Sequence, residues 1–280
     1  MLINEQPKMA TFVDNNGLNI FYRHWASPGK PKAVVVIAHG FNSHSGYYQW
    51  VAEQLIAHSF EVYAIDFPGR GKSDGERYYI ADYNSFVADL DQLVNIAEDA
   101  NPGLSLFLLG HSAGGVLSAI YALHHQQKLG GFICESFAFQ VPAPDFAVAV
   151  LKGLSHIFPH AHVLKLKNED FSRNQEVVDL MNNDPLIAHE VQPTKTVQQL
   201  ALADERLKAE MGAISLPLLI LHGTADKATK PSGSQLFYDT SSSKDKTLKF
   251  YDGHYHDLLN DLDKEIVMTD ILDWLNTRTQ

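Results

Sequence analysis

Three stretches of this chain hold residue types that together perform acyl-transfer chemistry. The first is Gly110-His111-Ser112-Ala113-Gly114, a G-x-S-x-G pattern. It follows the apolar run Leu104 to Leu109 and precedes the helix-forming segment Val116 to Leu123. On a strand that turns sharply into a helix, such a pattern strains the serine backbone and exposes its hydroxyl. A serine hydroxyl is a weak nucleophile at neutral pH, so it needs a base, and the base needs an acid to orient it. On this kind of elbow the partners follow as Asp or Glu, then His, each just past a strand. Asp226 closes His222-Gly223-Thr224-Ala225-Asp226 after the apolar run Leu216 to Leu221. Asp252-Gly253-His254-Tyr255-His256 follows Thr247 to Tyr251. Within these loops either His254 or His256 is placed to reach the serine. Glu135 also ends a strand and competes with Asp226 as the acid. His222 is a third histidine at a strand end, where His-Gly is more often structural.

Attack on a carbonyl creates an oxyanion that needs preorganised donors. The backbone N–H of Ala113, at the start of its helix, is one. The second is assigned to the N–H of Phe41, in His39-Gly40-Phe41 after an earlier central strand.

Elements that position these groups are readable in order. Thr11 to Trp25 is a hairpin turning at Asp14-Asn15-Asn16-Gly17. Ala33 to Ala38 is apolar throughout, as expected of a parallel strand buried on both faces. A helix over Tyr47 to His58, a strand over Phe60 to Ile65, and a helix over Asp82 to Ala100 follow, then the elbow and a strand over Gly131 to Glu135. This alternation predicts a mostly parallel sheet with helices on both faces. From Phe137 to about Lys208 the alternation stops. Asp145 to Phe158 and Val197 to Met211 read as helices, with no clear buried strand, so residues 137–208 are expected to form an inserted cap. The core is then 1–136 with 209–280. It resumes with the strand Leu216 to Leu221, a helix near Pro231 to Tyr238, the strand Thr247 to Tyr251, and a closing helix from about Leu262 to Leu275.

Composition excludes several classes. With 33 acidic and 22 basic residues the net charge is −11, which argues against a nucleic-acid partner. The single cysteine, Cys134, cannot form an intramolecular disulfide and ends an apolar strand, so inert burial in a reducing compartment is expected. The N-terminus has no basic start followed by an apolar core, and no run is long enough to cross a bilayer, so a cytoplasmic protein is expected. Gly69 to Ser73 ends like a phosphate-binding loop but lacks that motif's first glycine. His254-Tyr255-His256 and His160-Ala161-His162 are each half a metal site with no evident remainder, so neither metal nor cofactor is expected.

The chain resembles α/β-hydrolases of the monoacylglycerol lipase and lysophospholipase subgroup. Matching stretches are His39-Gly40 with His44-Ser45-Gly46-Tyr47-Tyr48, Gly69 to Arg77, Gly110 to Gly115, Ser172-Arg173-Asn174, Asn183-Asp184-Pro185-Leu186, Gly223 to Asp226, and Lys246 to Tyr251 with Gly253 and Tyr255-His256. They span nearly the whole chain. The resemblance implies the α/β-hydrolase fold with an inserted helical cap, and favours His256 as base and Asp226 as acid. It implies a small-molecule acyl ester as substrate, monoacylglycerols or related carboxylic esters. It also implies a cap whose apolar surface makes transient contact with membranes or lipid aggregates, hence peripheral membrane association. Ser43, Tyr47 and Leu259 stand where the subgroup's mammalian lipases carry an acid, an arginine and a histidine near the glycerol side of the pocket. They are expected to shape substrate preference. Two other readings stay open: a proline-type aminopeptidase on this fold, and a non-catalytic binding protein on a hydrolase scaffold. The oligomeric state is not readable.

Overall fold

The computed structural model describes residues 6–139, 153–187 and 189–279. Its centre is an eight-stranded sheet built on the apolar run Ala33–Ala38 (β3), all six residues of which are buried. β3 lies between Phe60–Ile65 (β4) and Ser105–His111 (β5), parallel to both. Leu129–Glu135 (β6), Leu218–Gly223 (β9) and Lys246–Tyr251 (β10) extend the sheet in parallel on one side. On the other side the hairpin Lys8–Val13 (β1) and Asn19–Trp25 (β2) joins antiparallel to β4. The order is β1-β2-β4-β3-β5-β6-β9-β10.

Because side chains alternate along a strand, the sheet has two buried faces. Val34, Val36, Leu106, Leu108, Phe132 and Ile220 pack against Tyr83–Ala100 (α2), Ala113–His125 (α3) and Pro231–Thr240 (α6). Val35, Ile37, Phe107, Leu109, Ile133 and Leu221 pack against Gln49–Ala57 (α1) and Lys264–Asn276 (α7). A run such as β3 is apolar at every position because both faces are covered.

Between β6 and β9 lie Gln175–Asn183 (α4) and Thr194–Glu210 (α5), with a two-stranded antiparallel pair, His162–Leu164 (β7) and Gln192–Pro193 (β8). The pair was absent from the sequence expectation. β7 is exposed at all three residues, so it carries none of the apolar patterning that marks a buried strand. The helix expected over Asp145 to Phe158 lies, up to residue 152, outside the described residues. α5 begins three residues before the expected Val197 and carries its buried residues against α2 and α3. Arg70, in the loop after β4, joins this segment to the sheet. Its Nη2 donates to Gln192 Oε1 at 2.9 Å and its Nε lies 3.7 Å from Glu190 Oε1. Lys72 N–H and Ser45 N–H both donate to the chain's own Asp66 carboxylate, at 2.8 and 2.6 Å.

Candidate active site

The strands β5, β9 and β10 run parallel, so their carboxyl ends open on one edge of the sheet, where α/β sheets gather their reactive residues. β5 ends at His111, and Ser112 follows at φ 55° and ψ −121° before α3 begins. A positive φ at a non-glycine residue costs about 1–3 kcal/mol and persists only where its surroundings enforce it. Here the enforcement is close packing. A Cβ on Gly114 would stand 2.2 Å from the Ala38 carbonyl oxygen, and one on Gly110 would stand 2.6 Å from Ser118 Oγ. Only glycines let α3 approach β3 and β5 closely enough to hold the turn.

Ser112 Oγ is 2.8 Å from His256 Nε2, and His256 Nδ1 is 2.7 Å from Asp226 Oδ2. The three side chains come from the ends of β5, β10 and β9, separated by up to 144 residues. His254 stands apart from this line. It is buried against Tyr251, with its Nδ1 3.9 Å from Asp261. Glu135, the competing acid, accepts from the Leu259 N–H at 3.2 Å and, among the described residues, faces no imidazole nitrogen within hydrogen-bonding distance.

The Asp226 carboxylate is heavily satisfied. Oδ1 accepts from the N–H groups of Ala228 and Thr229 at 2.7 and 2.9 Å. Oδ2 takes His256 Nδ1, the Thr229 hydroxyl at 2.7 Å, and His222 Nε2 at 3.0 Å. Burial pushes this carboxyl up. The positive charge available on His256 and hydrogen bonds from both histidines overcome that, leaving it well below the usual carboxylate range. It is a fixed anion.

His256 is itself almost fully buried, edge-on to Phe171 with ring centroids 4.9 Å apart. Phe171 comes from the segment between β6 and β9, as does Arg173. The Arg173 N–H and Nε donate to the two Asp261 oxygens at 2.6 and 2.8 Å, and Asp261 also accepts from Tyr255 N–H. Asp257 N–H donates to the Phe171 carbonyl at 2.8 Å. The loop carrying the histidine is therefore clamped by residues more than 80 positions upstream. Neither Phe171 nor Thr229 stood out in the sequence. The Ser172-Arg173-Asn174 match was the one local signal.

On the other side of the serine, the β3 loop comes so close that a Cβ on Gly40 would lie 2.7 Å from Ser112 Cβ. This brings the backbone of Phe41 beside the nucleophile. The Phe41 ring carries the Arg70 guanidinium 4.6 Å from its centroid. His39 braces the loop, since its Nδ1 contacts Gly40 O at 2.7 Å and its Nε2 accepts from the Phe67 N–H at 3.1 Å. Burial, partly opposed by Asp66, lowers this imidazole to about 4, so it is neutral. Asn42, at φ 48°, donates to Asn168 Oδ1 at 2.7 Å and ties the loop to the segment above it.

The three residues expected to shape substrate preference fall in different settings. Ser43 is buried. Tyr47 is half-buried, and its hydroxyl donates to Asp184 Oδ2 at 3.0 Å, which His44 Nε2 also meets at 2.9 Å. Leu259 is wholly buried in the core layer that holds Tyr48, Leu55 and Ile271.

Among the described residues, one buried grouping has metal-ligand chemistry: His111, Glu135 and Asp257. Their donor atoms lie within 4.8 Å of one another, a looser set than the edges of about 3.3 Å in a tetrahedral zinc cage. Burial, then the neighbouring carboxyl, pushes Glu135 well up, and burial raises Asp257 to about 6. Burial likewise holds the His111 imidazole well below its ordinary value. His160 pairs with Glu76 rather than with His162. Cys134 is fully buried, and burial pushes its thiol up, so it is no nucleophile.

Known proteins similar to this chain agree with one another. The family described as serine aminopeptidase S33 matches residues 29–263. The monoglyceride lipase of Rattus norvegicus is 35% identical over 271 residues, covering 95% of this chain and 89% of that protein. The monoacylglycerol lipase of Mycolicibacterium smegmatis is 33% identical, covering 95% of each. Among solved structures, the Paleococcus ferrophilus monoacylglycerol lipase superposes with a TM-score of 0.82 at 31% identity, over 98% of this chain and all of that one.

Proposed function

This chain belongs to the serine aminopeptidase S33 family of α/β-hydrolases and is a serine ester hydrolase of the monoacylglycerol lipase type, and we propose that its reaction runs through Ser112, His256 and Asp226. The observation that carries the reading is the unbroken line from Ser112 Oγ through His256 to Asp226 at 2.8 and 2.7 Å, on a serine held at positive φ.

His256 Nε2 takes the proton as Ser112 Oγ attacks the ester carbonyl. The backbone N–H groups of Phe41 and Ala113 receive the oxyanion, the latter aided by the α3 dipole. Collapse of the tetrahedral intermediate breaks the ester bond, and His256 returns the proton to the leaving alcohol. Water, deprotonated by the same histidine, then attacks the acyl-serine, and His256 returns that proton to Ser112 Oγ as the carbonyl–serine bond breaks and the fatty acid is released. Asp226 stays ionised throughout and stabilises the imidazolium.

The substrate class is a monoacylglycerol or a related carboxylic ester. Residues 137–208 act as the cap over a core of 1–136 and 209–280, and Ser43, Tyr47 and Leu259 bias the alcohol side. Tyr47 and Asp184 support a polar contact there, whereas Leu259 offers none. Exposed Ile157, Phe158, Val163 and Leu164 support transient contact of the cap with lipid aggregates from a cytoplasmic location. Among the described residues no helix is long and apolar enough to cross a membrane.

The test is a panel of monoacylglycerols, lysophospholipids and simple esters of graded acyl length, run on wild type and Ser112→Ala. Hydrolysis that peaks on monoacylglycerols and falls by about a thousandfold or more in the variant supports the reading. Activity surviving Ser112→Ala would sink the mechanism, and a flat response to monoacylglycerols beside fast simple esters would sink the substrate class.

A further inference from the structure

Asp226 stands between two imidazoles, and the mechanism above uses only one. His256 Nδ1 approaches Oδ2 at 2.7 Å and His222 Nε2 approaches the same oxygen at 3.0 Å. The Thr229 hydroxyl sits symmetrically between the rings, 3.4 Å from each of those nitrogens. His222 is the next-to-last residue of β9, four before Asp226, and its side chain is fully buried. It has no path to substrate. Whatever it does for the reaction, it does through the carboxylate.

The hydrogen bonds assign its tautomer. An ionised carboxylate accepts and cannot donate, so the nitrogen facing Oδ2 must carry a hydrogen. In a neutral imidazole the other nitrogen then presents a lone pair. His222 Nδ1 lies 2.7 Å from Ser234 Oγ, a buried hydroxyl in the first turn of α6. A hydroxyl can rotate to donate, and Ser234 donating to Nδ1 fixes the hydrogen on Nε2. The result is a directed line: Ser234 to His222, His222 to Asp226, and Asp226 accepting from His256, which reaches Ser112. Were the tautomer reversed, a lone pair would face the anion and repel it.

We propose that His222 is a positioning residue for the catalytic base, holding the Asp226 carboxylate in place through Nε2–H, and that Ser234 locks it in the donating tautomer. The proposal rests on the triad reading above. A carboxylate gripped on Oδ2 by donors from β9 and from its own loop cannot rotate away when His256 swings between Ser112 and the leaving group. His222 also takes up part of the anionic charge, which sets how strongly Asp226 favours the imidazolium. The other ionisable groups around this carboxylate are His111 from the end of β5 and Glu135 from the end of β6, together with His256 itself.

The experiment compares His222→Leu, His222→Gln and Ser234→Ala with wild type. Readouts are kcat and KM on a soluble ester, the pH dependence of kcat/KM, the rate of fluorophosphonate labelling at Ser112, and thermal melting. The leucine variant keeps bulk and loses the donor; glutamine restores an N–H near the position of Nε2. We expect His222→Leu to lose kcat on the order of ten- to a hundredfold with KM nearly unchanged, as outer partners of an oriented histidine do. Its acid limb should move to higher pH, because a less neutralised Asp226 holds the imidazolium more tightly. His222→Gln should recover most of the loss, and Ser234→Ala should fall between. If His222→Leu does not fold, Ser234→Ala carries the kcat and pH prediction in the same direction at smaller size. Unchanged kcat and pH profile in the folded variants would overturn the proposal, as would a glutamine variant no better than leucine. Wild type that resists labelling, or a Ser112→Ala enzyme that stays active, would instead overturn the triad reading beneath it.

Discussion

Asp226 shows how several weak donors determine one charge. Left buried alone, a carboxyl protonates; five donors within 3.0 Å keep this one ionised. Asp226→Asn retains the shape but cannot accept from His256 Nδ1–H through its amide nitrogen. Steady-state kinetics should show kcat reduced about a hundred- to ten-thousandfold with KM little altered. The same carboxylate also links stability to pH. Its folded-state value is depressed, so its contribution is present above the ordinary carboxylate value and is lost as pH falls below it. Urea midpoints of wild type should therefore exceed those of Asp226→Asn near pH 7, and the two curves should converge in acid.

Strands and loops around the elbow are largely legible in the sequence, because their signals are local. Ala33–Ala38 and Phe60–Ile65 are the expected spans to the residue, as doubly buried strands bounded by loops should be. Ser112, Asp226 and His256 each lie just past a strand, so order and position nominated them together with His254 and Glu135, and the family resemblance favoured His256 and Asp226. What stayed hidden depends on distant pairing. Phe171 on His256, Arg173 on Asp261 and Ser234 on His222 join segments that no periodicity connects. β7 is short and exposed, and β8 is buried but only two residues long, so neither leaves a pattern. Helix α2 carries a further surprise on its inner face. Asp89 is buried with Oδ2 unpartnered, and burial with repulsion from Asp14 raises it to about 7. A raised acid contributes stability fully below its unfolded value, 3.8, and loses it as pH climbs through about 7. Asp89→Asn should thus stabilise the protein at pH 8 by on the order of 2–4 kcal/mol and do nothing comparable at pH 4, as read from denaturation midpoints at the two pH values.

Considered as a whole, the molecule is a stiff sheet edge completed by the segment inserted between β6 and β9. That segment presses Phe171 onto His256 and grips the histidine loop through Arg173 and Asp261. Arg173→Ala leaves Asp261 a buried carboxylate with fewer donors, at a cost of about 3 kcal/mol. It should lower kcat more than the melting shift explains, because the loop loses its clamp; comparing kcat well below the melting temperature checks this. The core beneath is equally tight. The lone thiol, Cys134, lies on β6 between β5 and β9, with no exposed surface and its Sγ 3.3 Å from where a Gly115 side chain would begin, closer than ordinary van der Waals contact. A disulfide-exchange reagent reaches that sulfur only when α3 lifts from the sheet face it covers. Under native conditions its reaction should therefore be single-phased, slow, and independent of reagent concentration at saturation, which makes this sulfur a built-in clock for the release of α3 from the sheet.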